Sequence, residues 1–177
     1  MTVHKAEYMT ELRRALPAEA DTLALGGALA RCLTPGLVIY LIGELGAGKT
    51  TLARGLLRGL GFSGKVKSPT FTLVEVYEVS RLYLYHFDFY RFVGSRSSAN
   101  AAQEFVQTGF REHFNPQSVC VVEWPEKAAG LPPADLRIEL RVTEGAEPIE
   151  GAGTGRNLAI FADSEAGALC LKRLAMT

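Results

Sequence analysis

Glycine, lysine and threonine within one short stretch have the spacing of a phosphate-binding loop. The sequence GELGAGKTT occupies residues 43–51 and fits the pattern G-x-x-x-x-G-K-[ST]. Glycines let the backbone turn tightly and direct successive N–H groups at phosphate oxygens. Lys49 can reach the β- and γ-phosphates of a nucleotide, and the Thr50 hydroxyl can bind Mg²⁺. The stretch therefore predicts a site for a magnesium nucleotide.

The residues on either side of this loop predict the elements that such a loop requires. Residues 37–42 (LVIYLI) form a continuous apolar run, which is typical of a buried parallel strand. After the loop, leucines 52, 56, 57 and 60 fall on one face of a predicted helix. The positive N-terminal end of that helix would add to the anion site. A glycine-rich turn with an exposed lysine, the alternative, would need neither element.

A second apolar run ends in a carboxylate. Residues 118–124 (SVCVVEW) predict a buried strand that ends at Glu123. Ligands of open α/β sheets bind at the carboxyl ends of the strands, so Glu123 is predicted to hold Mg²⁺ or to orient the attacking water. A solvated glutamate at a strand end is the alternative. Trp124 follows directly and is predicted to lie on the nucleotide side or to pack in the core.

A third candidate carboxylate lies in a predicted hairpin. Residues 71–79 and 82–90 are rich in aromatic and β-branched side chains and are separated by a short polar turn, which predicts antiparallel pairing. In the second run His86, Asp88 and Tyr90 alternate onto one face. A carboxylate among aromatic residues is costly to bury unless it is paired or close to a metal. Asp88 is therefore predicted to lie near Mg²⁺ or the attacking water.

Other interpretations of this region remain open. Asp88 could form a salt bridge to Arg91 or cap the end of its strand. His86 alone is more typical of a structural histidine than of a catalytic one. Ser68 and Thr70 precede the hairpin and either face the γ-phosphate, as switch hydroxyls do, or belong to a solvated loop.

The rest of the chain predicts one α/β domain over residues 1–177, with a mostly parallel sheet, an antiparallel hairpin and helices on both faces. Residues 1–10 are predicted to be a flexible leader and 92–100 a mobile loop. The remaining predicted elements are an edge strand at 11–16, a helix at 17–33, a helix at 101–114 interrupted near Gly109, strands at 136–142 and 157–162, and a helix at 164–175 capped by Ser164.

Composition excludes several classes of protein. The 19 basic and 19 acidic residues cancel, so a strongly basic nucleic-acid-binding surface is not required. No apolar run approaches the length of a membrane span, so no membrane association is expected. Cys32, Cys120 and Cys170 lack the spacing of metal ligands and are expected to be reduced thiols of a cytoplasmic protein.

Four motifs, taken together, resemble one family. They are the loop at 43–51, VKSPTFTL at 66–73, YHFDFYR at 85–91 and VVEWPEK at 121–127. The first is shared by many nucleoside triphosphatases, and the other three are more specific. From about Asp21 to Asp135 the sequence is similar to the TsaE (YjeE) family, the bacterial ATPases of tRNA threonylcarbamoyladenosine (t6A) biosynthesis.

The resemblance implies a small P-loop NTPase that binds ATP and Mg²⁺, joins the TsaB and TsaD proteins and supports turnover by TsaD. Contact with tRNA would be indirect, through that complex. Lys49, Asp88 and Glu123 would be catalytic, and Thr50 and Glu123 would hold the metal. The positions implied to contact the nucleotide are Thr22, Glu44, Gly46, Ala47, Gly48, Lys49, Thr50, Thr51, Trp124 and Arg156.

Two other functions are compatible with the same loop. One is a small-molecule kinase, in which Arg91 and Arg96 beside the mobile loop would cover the transferred phosphoryl group. The other is a non-catalytic module whose binding of a partner depends on ATP. A GTPase is disfavoured because the sequence contains no N-K-x-D motif for reading guanine.

Overall fold

The computed structural model describes residues 9–69, 71–79, 82–92, 108–143 and 154–177. Within these ranges, no helix is long and apolar enough to cross a membrane. The strands are β1 (Glu11–Leu16), β2 (Val38–Ile42), β3 (Val74–Val79), β4 (Leu82–Asp88), β5 (Ser118–Glu123), β6 (Leu136–Val142) and β7 (Arg156–Ala162). The α-helices are α1 (Glu19–Ala30), α2 (Lys49–Gly59) and α3 (Glu165–Ala175).

All seven strands belong to one mixed sheet with the order β1-β7-β6-β2-β5-β4-β3. The four central strands, β6, β2, β5 and β4, pair in parallel. Antiparallel strands extend both sides, with β3 next to β4 and with β7 and β1 next to β6. The predicted parallel centre, the hairpin and the edge strand at 11–16 are confirmed. Because β2, β4 and β5 run in the same direction, their carboxyl ends meet at one edge of the sheet.

Alternation of apolar side chains gives the sheet two buried faces. On β2, Ile39 and Leu41 face a large cluster that includes residues of all three α-helices, among them Leu29, Leu56 and Leu171. Tyr40 faces the opposite side, where the second cluster is built around the phenylalanines of β4 and the residues after it. The second cluster also includes residues that belong to, or directly flank, two 3-10 helices, Phe110–His113 and Pro125–Lys127.

The first helix is shorter than predicted. It runs from Glu19 to Ala30 and not from residue 17 to 33. The Asp21 carboxylate accepts the N–H of Ala18 at 2.8 Å, which satisfies a donor at the helix start and places the first turn after Ala18. At the other end the N–H of Cys32 bonds to the carbonyl of Leu29, a tighter turn that closes the helix.

The helix predicted at 101–114 lies partly outside the described residues, as do most of the predicted leader at 1–10, most of the loop at 92–100, Thr70 and the hairpin turn at 80–81. In the part that is described, the chain after Gly109 is helical only as a short 3-10 helix, Phe110–His113. The interruption expected at Gly109 is confirmed. Gly109 has a left-handed φ of 75°, which ends any regular helix at that point.

Helices α1 and α2 are in backbone contact through glycines. A Cβ atom on Gly26 would lie 2.4 Å from the carbonyl oxygen of Leu52, and one on Gly55 would lie 2.3 Å from that of Leu23. No side chain fits at either position. Since α2 begins at Lys49, this contact fixes the first turn of α2 against α1.

The glycine contact predicts opposite effects for two neighbouring substitutions. Gly26→Ala is expected to lower the free energy of unfolding by about 2–3 kcal/mol, because the new methyl group meets rigid backbone. Gly27→Ala is the matched control, since its Cβ would be 3.9 Å from the nearest atom, and helix propensity alone should stabilise it by up to about 1 kcal/mol. Urea unfolding measures both. Equal midpoints for the two variants would contradict this packing.

The three cysteines are free and buried. Burial raises the pKa of Cys120 and Cys170 to about 12, and it raises the pKa of Cys32 above its ordinary value. Because the thiolate is the reactive form, a raised pKa leaves these thiols unreactive at neutral pH.

Iodoacetamide is therefore expected to modify none of these cysteines in the folded protein at neutral pH and to modify all of them after unfolding in urea. Mass spectrometry counts the adducts. Rapid modification of a cysteine in the folded protein would show that its thiol is accessible and easily ionised.

Candidate nucleotide-binding site

The loop between β2 and α2 has the backbone that its glycines predict. Gly48 precedes the first residue of α2 with a left-handed φ of 104°, a conformation that side chains other than glycine rarely adopt. The N–H groups in the first turn of a helix have no partner within the helix and point away from its N-terminus. The loop thus ends in an anion site of the kind that binds phosphate.

Arg156, at the start of β7, supports the loop from outside. Its Nε donates to the carbonyl of Ala47 at 2.9 Å, and its Nη2 donates to that of Gly46 at 3.0 Å. Arg156 also contacts the carbonyls of Thr154 and Gly155, which join it to the chain before β7. In this structure Arg156 therefore holds the loop in shape.

Lys49 is buried, with 4% of its surface exposed. Its Nζ donates to the carbonyls of Gly43 at 2.6 Å and Glu44 at 2.9 Å, and it lies 4.0 Å from the centre of the Trp124 ring. Burial lowers the pKa of the Lys49 ammonium, and the carboxylates around it, with Glu123 the strongest, oppose that shift. The cation is thus fixed at the inner side of the loop by carbonyls, an aromatic ring and nearby negative charge.

Glu123 ends β5 with its carboxylate buried and hydrogen-bonded. The Thr50 hydroxyl lies 3.0 Å from its Oε1 and 3.2 Å from its Oε2. The Nε2 of His86 lies 2.8 Å from Oε1. The structure thereby brings together the two residues predicted to hold Mg²⁺, one from α2 and one from β5.

Asp88 ends β4 directly beside Glu123, because the two residues are paired in the parallel register of β4 and β5. Its carboxylate accepts one hydrogen bond from the hydroxyl of Ser68 and another, at 2.8 Å, from the backbone N–H of Tyr90. The contact with Tyr90 is the strand-end cap considered for Asp88. Arg91 was the other partner considered for Asp88, and its guanidinium lies over the Phe71 ring, 4.7 Å from the ring centre.

Trp124 has an unusual backbone conformation for its residue type. Its φ of 58° and ψ of 49° are left-handed, and a proline follows it. Non-glycine residues with positive φ are uncommon and cluster at functional sites. The turn carries the Trp124 ring over Lys49 and against Tyr90, with the two ring centres 5.0 Å apart.

The loop, Asp88, Glu123 and Trp124 surround a cavity of about 250 Å³ at the carboxyl edge of the sheet. Among the residues predicted to bind the nucleotide, Thr22, Glu44, Ala47 and Arg156 lie outside the cavity lining. Thr22 is buried in α1, and its methyl group would lie 3.9 Å from a Cβ on Gly48. The cavity is lined by Leu45, Gly46, Gly48, Lys49, Thr50, Thr51, Ser68, Asp88, Tyr90, Glu123 and Trp124.

Sequence reasoning assigned no role in this lining to Leu45 or Tyr90. A signal for Tyr90 was present, since it shares the alternation of His86 and Asp88. Leu45 occupies a position of the loop motif that any residue can fill, so the motif gives no signal for it.

A larger depression of about 890 Å³ is lined by residues of β1, β6 and β7 and by Thr143. It is lined by several charged side chains, but Arg13 pairs with Glu11 and Arg141 pairs with Glu139. It contains none of the residues predicted to do chemistry. The smaller cavity is therefore the candidate site.

The donor set at the cavity suits a hard cation. Within the described ranges, no group of three or more histidine, cysteine or acidic side chains could hold a metal alone. A hydroxyl and a carboxylate, Thr50 and Glu123, are oxygen ligands of the type that Mg²⁺ uses together with water and nucleotide phosphates. These two residues fit Mg²⁺ bound with a nucleotide better than an isolated metal.

Comparisons with known proteins agree with one another. The family model for "Threonylcarbamoyl adenosine biosynthesis protein TsaE" matches residues 16–149. A tRNA threonylcarbamoyladenosine biosynthesis protein TsaE from Haemophilus influenzae is 40% identical over 148 residues, which are 80% of this chain and 89% of that protein. The protein of the same name from Treponema pallidum is 42% identical over 123 residues, 69% of this chain and 85% of its own.

The fold has a solved counterpart. The crystal structure of Bacillus subtilis YdiB aligns with a TM-score of 0.69 and 27% sequence identity, covering 96% of this chain and 98% of that one. The match of the family model over most of the chain and the identity to these relatives lead to one assignment: the chain belongs to the TsaE family.

Proposed function

We propose that this protein is a Mg²⁺-dependent ATPase that acts with TsaB and TsaD in forming threonylcarbamoyladenosine in tRNA. Its relatives are named for t6A biosynthesis. The observation that supports the ATPase activity is the meeting of Lys49, Thr50, Asp88 and Glu123 at one cavity, where three parallel strands end.

The proposed reaction is attack of water on the γ-phosphorus of ATP. A bond forms between the water oxygen and phosphorus, and the bond to the β–γ bridging oxygen breaks. ADP and hydrogen phosphate leave, and one proton of the water is released to solvent. Lys49 neutralises charge that develops on the phosphate oxygens, and the N–H groups of the loop bind them. Thr50 and Glu123 would hold Mg²⁺, which would supply further charge neutralisation when it is bound with the nucleotide.

Asp88 is the proposed catalytic carboxylate beside Glu123. Its contacts with Ser68 and the N–H of Tyr90 fix its orientation at the cavity. From there it would orient either the attacking water or a water bound to Mg²⁺. The contact with Ser68 also joins the segment before the hairpin to the site, which supports a role of the Ser68 hydroxyl in responding to the nucleotide.

Low activity in isolation is part of the proposal. Within the described part of the chain, the cavity lining contains no arginine. P-loop enzymes use an arginine, often from a partner protein, to stabilise the charge of the transition state. We therefore propose that TsaB and TsaD complete the site and that contact with tRNA is made through them, in the cytoplasm.

The proposal is tested by t6A formation in a mixture of TsaD, TsaB, tRNA and the substrates of TsaD. Adding this protein with Mg²⁺ and ATP should allow many turnovers per TsaD, and omitting ATP should prevent them. Nucleoside mass spectrometry measures the product. If ³²P from γ-labelled ATP were recovered on a small-molecule acceptor instead of as free phosphate, the kinase alternative would hold.

A further inference from the structure

His86 contacts the proposed metal ligand and is completely buried. It lies on β4 with 0% of its surface exposed. Its Nε2 is 2.8 Å from Oε1 of Glu123. Its Nδ1 is buried and has no hydrogen-bond partner within the described part of the chain. The Glu123 carboxylate is therefore the one polar group that the described structure offers to this ring.

The sheet makes this contact possible. β4 and β5 are parallel neighbours, and the register pairs His86 with Val121 and Asp88 with Glu123. Side chains two residues apart on a strand lie on the same face, so His86 and Asp88 both face the side on which Glu123 lies. Glu123 thus has Asp88 directly beside it on β4, and His86 lies two residues before Asp88 on the same strand.

The contact with Glu123 indicates which ring nitrogen of His86 carries a hydrogen. A carboxylate oxygen accepts hydrogen bonds, so Nε2 carries the hydrogen and donates it to Oε1. The Thr50 hydroxyl has one hydrogen to share between Oε1 and Oε2, at 3.0 and 3.2 Å. His86 is therefore the donor that distinguishes the two oxygens and fixes the rotation of the carboxylate.

We propose that His86 is a positioning residue that orients Glu123 for Mg²⁺. By holding Oε1, His86 leaves Oε2 and the Thr50 hydroxyl as the pair of oxygens available to the cation or its water. Residues that hold metal ligands in this way change metal affinity or activity by about 10- to 100-fold when they are replaced. The inference rests on the proposed function of the site as a magnesium nucleotide site.

Three substitutions separate positioning from simple filling of the core. His86→Gln places an amide N–H at nearly the position of Nε2, so it keeps the donor. His86→Asn places its amide one bond short of Glu123, so it is polar but loses the contact. His86→Leu has similar bulk and no donor. If the leucine variant fails to fold, the comparison of glutamine with asparagine still decides the question.

The measurement is the affinity for a non-hydrolysable ATP analogue by calorimetry, once with excess Mg²⁺ and once with EDTA. Thermal melting confirms that each variant is folded. The gain in affinity caused by Mg²⁺ should fall by about tenfold in His86→Asn and His86→Leu, and His86→Gln should retain most of it. Affinity in EDTA should stay unchanged in all three, because the loop that binds the phosphates is untouched.

A gain from Mg²⁺ that is equal in all folded variants and the wild type would overturn the inference and leave His86 as a core residue. A wild-type protein whose affinity does not respond to Mg²⁺ would overturn it as well. Failure of the proposed ATPase function is a separate result, because it appears as absent hydrolysis with the partner proteins while the response of binding to Mg²⁺ can still be measured.

Discussion

Lys49→Ala is expected to reduce ATP hydrolysis by about 10²- to 10³-fold, the effect of removing a group that stabilises charge in a transition state. Lys49 is the buried cation of the cavity, and it is held there by the carbonyls of Gly43 and Glu44 and by the ring of Trp124. Burial disfavours the charge of this ammonium, so a phosphate anion bound beside it would offset part of that cost.

The control is Lys172→Ala, which removes an exposed lysine from α3. Phosphate release should be unchanged in that variant. Thermal melting of both variants checks that each is folded at the temperature of the assay. Hydrolysis by Lys49→Ala at the wild-type rate would show that the loop does not act as a catalytic phosphate site.

Glu123→Gln is the second substitution with a large expected effect. It keeps the shape of the side chain and removes the charge, so hydrolysis should fall by about 10²-fold or more because the metal loses an anionic ligand. Nucleotide affinity in EDTA should not change. Phosphate release and binding by calorimetry, each with and without Mg²⁺, measure the two effects separately.

Glu126→Gln provides the matched control, since Glu126 is exposed in the 3-10 helix that follows Trp124. Its hydrolysis rate should equal that of the wild type. If Glu123→Gln retained normal turnover, then Glu123 would be a structural residue whose carboxylate serves only to bind His86 and Thr50.

The glycine loop and the carboxylates at the strand ends could be predicted from sequence, because each is marked by a pattern within one short stretch of the chain. The glycine loop, the strand before it and the helix after it lie within residues 37–60. A carboxylate at the end of an apolar strand made Glu123 a candidate, alternation along one strand did the same for Asp88, and both residues line the cavity. In each case a short stretch of sequence fixes both the residue type and its place on an element.

The contacts between distant residues could not be predicted in this way. The bond between His86 and Glu123 depends on β4 lying next to β5 in parallel, and no local pattern determines that strand order. The support of the loop by Arg156 joins residues that are 109 and 110 positions apart. The break at Gly109 could be predicted because glycine adopts a left-handed φ easily, but the tighter 3-10 form of Phe110–His113 after it has no signal in the sequence.

We propose that Mg-ATP is hydrolysed at this loop and that partner proteins complete the site. Phosphate release from ATP and Mg²⁺, measured with the protein alone and then with TsaB, TsaD and tRNA, tests it most directly, with Lys49→Ala as the control. We expect slow phosphate release from the protein alone, faster release with the partners and none above background from Lys49→Ala. Tight ATP binding without release in any mixture would contradict it and would favour a module that only binds the nucleotide.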